Sequence, residues 1–149
     1  MLETIAAVVT ALGVVFAGVQ LRAGQVQRMR EFESLYIQRY WSLVDRFPLA
    51  AFSAWADYES LAAEERKALD SYVRLCEDQL EMRALGSITT STYHVWRDGM
   101  CASLAYPVVL QAIEESDSPL LLLNELDKYR LGYDPIEVGR AARALRGVG

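Results

Sequence analysis

Hydrophobic positions along this chain change their pattern once, near Arg22. Residues 4–21 (TIAAVVTALGVVFAGVQL) carry no charge, whereas beyond them apolar residues recur at helical spacings among charged ones. A helix over the first run covers about 27 Å, close to the ~30 Å hydrocarbon core of a bilayer. The pattern predicts a transmembrane anchor over residues 1–22 and one helical domain over residues 23–149. A cleaved signal peptide would want a basic lead, and the chain opens Met1-Leu2-Glu3. A buried core helix suits the dilution by Ala and Gly, but not the abrupt end at Arg22 followed by Arg28 and Arg30.

The first helix is not expected to stop at the membrane. No proline separates Gln25 from Phe47, and Gly24 is a weak breaker costing about 1 kcal/mol. Met29, Phe32, Tyr36, Tyr40, Leu43 and Phe47 recur at steps of three and four, which draws one apolar face. Leu35, Trp41 and Val44 widen that face, and Pro48 ends it. The spacing therefore predicts one continuous helix of about 68 Å whose distal half forms part of the domain core.

Residues 49–58 read as a short amphipathic helix or turn around Phe52 and Trp55. Ser60 is the expected N-cap of a helix over residues 61–85, with Leu69, Tyr72, Val73, Cys76, Leu80 and Met82 turned inward. Gly86 is its expected C′ residue, and Thr89 or Thr90 caps a third helix, closing an antiparallel hairpin. Pro107 and Pro119 mark the starts of two shorter helices, and a basic helix over residues 136–146 closes the chain. No alternating run long enough for a strand occurs, so the expected class is all-α: a transmembrane helix continuing into a small cytoplasmic helical bundle.

Charge narrows the partners and sets orientation. A net charge of −5 and a pI near 4.9, without a basic stripe, argue against nucleic acid as a partner. Arg22, Arg28 and Arg30 follow the apolar run and no basic side chain precedes it, which puts the N-terminus outside and the domain in the cytoplasm. The two cysteines, Cys76 and Cys101, fit no zinc spacing and read as thiols in a reducing compartment.

Catalytic chemistry finds little support. The one histidine, His94, has Asp98 a turn later but no accompanying nucleophile motif, so a structural hydrogen bond is the expected use. Glu77, Asp78 and Glu81 share a helix without the Glu-x-x-His pattern of helical metal sites, and Arg74 and Arg83 stand where they could pair with them. Phosphate loops and nucleophile elbows are absent, so no catalytic residue, cofactor or metal is expected.

The interaction candidates are of four kinds. Gly13 and Ala17 have the spacing of small residues that brings helices together in lipid, which predicts a homo-oligomer. Tyr36 and Tyr40 lie on the aromatic stripe. Leu120, Leu121, Leu122 and Leu123 form an unusually apolar run offered to a cytoplasmic protein partner, and Arg140 and Arg143, with Arg146, make a basic edge suited to anionic headgroups of the bilayer.

Phe32-Glu33-Ser34-Leu35-Tyr36, Arg39-Tyr40-Trp41 and Tyr72-Val73-Arg74-Leu75-Cys76-Glu77, followed by Gly86-Ser87-Ile88 and Trp96, resemble short bacterial and phage single-pass membrane proteins with a cytoplasmic helical domain. That resemblance implies the bacterial inner membrane and a prophage setting, and transfers no site residue. The expected function is a membrane-anchored, non-enzymatic interaction or regulatory protein. The alternative is an oligomeric effector that permeabilises the membrane when triggered, although only Thr10 and Gln20 are polar enough to line a pore.

Overall fold

A computed structural model describes residues 2–46 and 57–137, with side chains from Val14 onward. Among these the regular elements are helices: α1 (Leu2–Val44), α2 (Ala63–Ala84), α3 (Thr90–Ser103), α4 (Pro107–Glu114) and α5 (Leu121–Tyr129), with 3₁₀ turns at Tyr58–Ser60 and Arg130–Gly132. The all-α expectation holds for the described residues. Gly24 does not interrupt α1, which ends at Val44, slightly short of Phe47. Phe47, Phe52, Trp55 and the basic helix expected beyond Glu137 lie outside the described residues. Among the described residues no helix is long and apolar enough to cross a membrane. Of the uncharged run, only residues 14–21 have described side chains.

Helix α2 is the centre of the bundle and packs against α1, α4 and α5. Leu69, Tyr72, Val73, Cys76 and Leu80 are buried, as the spacing predicts, and Met82 packs at the edge of the same core. Its start differs from the expectation. Ser60 closes the 3₁₀ turn, and Ala62 precedes the first helical residue with no side-chain oxygen to cap it. The Glu65 carboxylate instead accepts from the Ala62 amide at 2.8 Å, which supplies half of a capping box.

The far end of α2 is a Schellman motif. Gly86 has φ +76°, the Ser87 amide donates to Met82 O, and the Gly86 amide donates to Arg83 O, both at 2.9 Å. Thr89 then caps α3, its Oγ1 accepting from the Thr92 amide. The two helices run antiparallel: Tyr72 Oη meets Ser103 Oγ at 3.0 Å at one end, and Arg83 donates to Thr90 Oγ1 at 3.1 Å at the other. Pro107 occupies the first turn of α4, where its missing N–H costs nothing.

Burial sorts the two apolar candidates residue by residue. The leucine run is not a surface: Leu120 and Leu123 are buried in the core, Leu122 is half-buried, and Leu121 alone is exposed. Helix α5 starts at Leu121 rather than at Pro119, and its i, i+3 spacing turns Leu120, Leu123 and Leu126 inward together. The stripe on α1 is, conversely, only partly core. Leu43 is buried and Tyr36 half-buried, while Phe32, Tyr40, Leu35 and Trp41 are exposed.

A buried guanidinium knits the α2–α3 end of the bundle. Arg83, only 4% exposed, donates to both Asp134 oxygens (3.0 and 2.7 Å) and to Ile88 O (2.9 Å) and lies 5.1 Å over the Tyr93 ring. The Tyr93 hydroxyl donates to Tyr133 O at 2.6 Å, so α2, its turn, α3 and the chain after α5 share one network. The expected pairing of Arg83 with Glu77 or Glu81 does not occur, because Arg83 points to the helix end, where the turn's carbonyl and Asp134 converge. Burial acts to raise the Asp134 carboxyl, but the Arg83 hydrogen bonds and the Ile136 amide outweigh it and hold the group below its ordinary value. A depressed folded value gives stability that is present above the unfolded carboxylate range and lost as pH falls through the folded one. Asp134→Ala, which strands the buried guanidinium, is expected to cost about 3 kcal/mol at neutral pH. Denaturant titrations followed by circular dichroism from about pH 7 down to about pH 3 should show the gap to the parent chain narrowing with acid.

Candidate functional site

Helix α1 is held to the bundle mainly by polar ties. Glu33 Oε1 accepts from the Thr89 amide at 2.9 Å and from Thr89 Oγ1 at 2.8 Å. It thereby places a carboxylate at the positive start of α3, whose own first turn contains no acid. Two turns along α1, Arg39 pairs with Asp78 of α2 at 3.1 Å, an exposed pair worth little alone. Tyr36 lies 5.8 Å from the Trp96 ring of α3, and Tyr40 6.4 Å from the Tyr72 ring of α2.

These ties leave space between α1 and the α2–α3 pair. The result is a cleft of about 410 Å³. Ile37, Tyr40 and Trp41 of α1 form one wall, and Val95, Trp96, Gly99 and Met100 of α3 form the other. Tyr72, Cys76 and Gln79 of α2 make the floor, at the i, i+4, i+7 spacing that aligns side chains along one helical face. An apolar, aromatic-lined recess of this size with few polar groups has the character of a binding pocket.

The titratable groups in the cleft are held in unreactive states. Burial pushes the Cys76 thiol up to about 12, so the thiolate that a nucleophile requires is not formed at neutral pH. Burial likewise raises the Tyr72 hydroxyl, which bonds Ser103 Oγ. Tyr36, at the cleft's edge, is raised by burial and then by the Asp78 carboxylate. Among the described residues no group of three or more His, Cys, Asp or Glu is placed to hold a metal ion. His94 is exposed on α3 and makes no hydrogen bond with Asp98, which accepts from Arg97 instead.

Glu77 has a different role from the one expected. Its side chain is buried between α2 and α5, where Oε1 accepts from the Leu122 amide (2.9 Å) and Oε2 from the Leu123 amide (2.7 Å). Leu120 has no side-chain oxygen to cap α5, so Glu77 caps it from another helix. Burial raises the Glu77 carboxyl, and those two amides partly oppose the rise.

Of the interaction residues expected from the sequence, the structure brings Tyr40 to the cleft wall and sets Tyr36 beside it, against Trp96. It removes Leu120 and Leu123 to the core, leaves Leu122 half-buried and keeps Leu121 exposed. Ala17 is exposed on α1; the surroundings of Gly13, and Arg140 and Arg143 altogether, lie outside the described residues. Nothing in local spacing marks Trp96, Gln79 and Gly99 as a site, because their convergence depends on how three helices pack. No family model matches the chain, and no curated protein or solved structure matches it either.

Removing the tie that sets the cleft's width should loosen α1. Glu33→Ala is expected to lower stability by about 1 kcal/mol, as for other lost N-terminal caps. Faster hydrogen exchange at the Thr89 and Thr92 amides, with α5 amides unchanged, would locate the loss; unchanged exchange at Thr89 would show that Glu33 contributes nothing.

Proposed function

We propose that this chain is a membrane-anchored, non-enzymatic recognition protein, with residues 1–22 in the bilayer and the helical domain binding a partner at the cleft beside α1. One observation carries the reading. Val14, Val15, Phe16, Val19 and Leu21 are between 61% and 69% exposed on α1. At about 100° per residue they spread around the whole circumference rather than along one face. A protein groove covers one side of a helix; lipid covers all of it.

The charges supply the orientation. Arg22, Arg28 and Arg30 line an open groove between α1 and the α2–α3 turn, just past the apolar run. Retained on the cytoplasmic side of a bacterial inner membrane, they place the N-terminus outside and the domain in the cytoplasm. In this reading Gly13 and Ala17 give neighbouring anchors a close-approach surface, which favours a homo-oligomer. The unreactive cleft groups support binding rather than catalysis, and the partner is a cytoplasmic component.

Fusing alkaline phosphatase or a fluorescent protein to the C-terminus tests both halves. The expected result is fluorescence in the membrane fraction without phosphatase activity. Val15→Arg should move much of the chain out of that fraction, since an arginine at mid-helix costs about 2.5–3.5 kcal/mol to insert. Phosphatase activity would overturn the orientation, and a parent chain found only in the soluble fraction would overturn the anchor.

A further inference from the structure

Gln79 is the one floor residue of the cleft whose chemistry the fold does not use. It is 6% exposed and lines the recess, yet its side-chain amide makes no hydrogen bond to any described residue. Its amide atoms are not sealed from solvent, so water can partner them until a ligand takes its place. Its neighbours on the floor are already committed: the Tyr72 hydroxyl bonds Ser103, and the Cys76 thiol is buried and protonated. Among the described residues of the floor, the amide is therefore the polar group left free to engage a ligand.

We infer that the cleft binds a small, neutral, flat ring compound carrying a lactam-type edge, a carbonyl beside an N–H, which pairs in two hydrogen bonds with the Gln79 amide. A primary amide presents one acceptor and donors on adjacent atoms, and a cyclic lactam presents the complement. Trp96 and Tyr40 offer ring faces for stacking, and about 410 Å³ suits one or two fused rings. Neutrality follows from the lining itself: among the described residues no charged side chain faces the recess, so an ion entering it would lose hydration without meeting a countercharge.

Gly99 supplies an independent way to close the site. A Cβ added there meets nothing within 4 Å, so a larger side chain has room at this wall of the cleft. Leucine at this position would occupy the ligand's space without disturbing the core.

The inference names a ligand class for the recognition cleft proposed above and so rests on that reading, but not on the anchor. Isoquinolone and its N-methyl derivative share ring system and hydrophobicity, and only the first keeps the N–H. The full chain, in lipid nanodiscs if it fractionates with membranes and in buffer if it does not, would be titrated with each, following tryptophan fluorescence against the matching chain-free sample. The parent chain is expected to bind isoquinolone saturably and the N-methyl compound about tenfold more weakly, the equivalent of one hydrogen bond. Gln79→Met should abolish that discrimination, and Gly99→Leu should abolish binding of both, with helical circular dichroism unchanged in each variant. Equal binding of the two compounds by the parent, or discrimination that survives Gln79→Met, overturns the role of Gln79 while leaving a binding cleft. No response of the parent chain to either compound overturns the cleft as a recognition site.

Discussion

The start of a helix presents amide N–H groups that nothing within the helix can satisfy, and in this protein much of the tertiary structure answers that requirement. Helix α2 borrows Glu65 from its own first turn, α3 uses Thr89, and α5 has no local cap at all. Its exposed amides are met by Glu77 from α2, a carboxylate buried to do so. Helix α1 joins the bundle by the same means, with Glu33 completing the cap of α3. Helix starts thus specify which helices lie together, while the apolar residues decide how closely they pack.

That division explains the cleft. Had the α1 stripe been buried throughout, Tyr40 and Trp41 would fill the space against Tyr72 and Trp96. Glu33 and Arg39 fasten α1 on either side of Tyr36, and Leu43 anchors its end, which leaves an aromatic recess between fixed points. The recess is thus a consequence of polar ties placed along a helix whose large side chains meet the bundle only at their edges.

The sequence made some features legible and hid others, for physical reasons. Helix spacing, Gly86 and Pro107 act within a few residues of themselves, so their effects could be read directly, and the inward positions of α2 followed from one repeat. Glu77, Glu33 and Arg83 act across 46, 56 and 51 residues, and a rule about neighbouring charges assigned Glu77 and Arg83 to each other's company instead. The leucine run failed differently. Apolar character shows that a segment wants cover, not whether this domain or a partner provides it, and here α2 covers Leu120 and Leu123. Of the cleft, the stripe residues Tyr36 and Tyr40 were legible, whereas Gln79 and Gly99 became part of a site only once three helices met.

The unbroken course of α1 also sets a height. Without a break at Gly24, Leu21 and Tyr40 belong to one rod, and their separation along its axis is about 28 Å. In the anchored reading proposed above, with residues 1–22 in a bilayer, such a rod would stand the cleft beyond the headgroup layer and out of reach of the acyl chains. An occupant would then arrive dissolved in water, and the anchor would act as a mast that fixes where in the cell the encounter takes place.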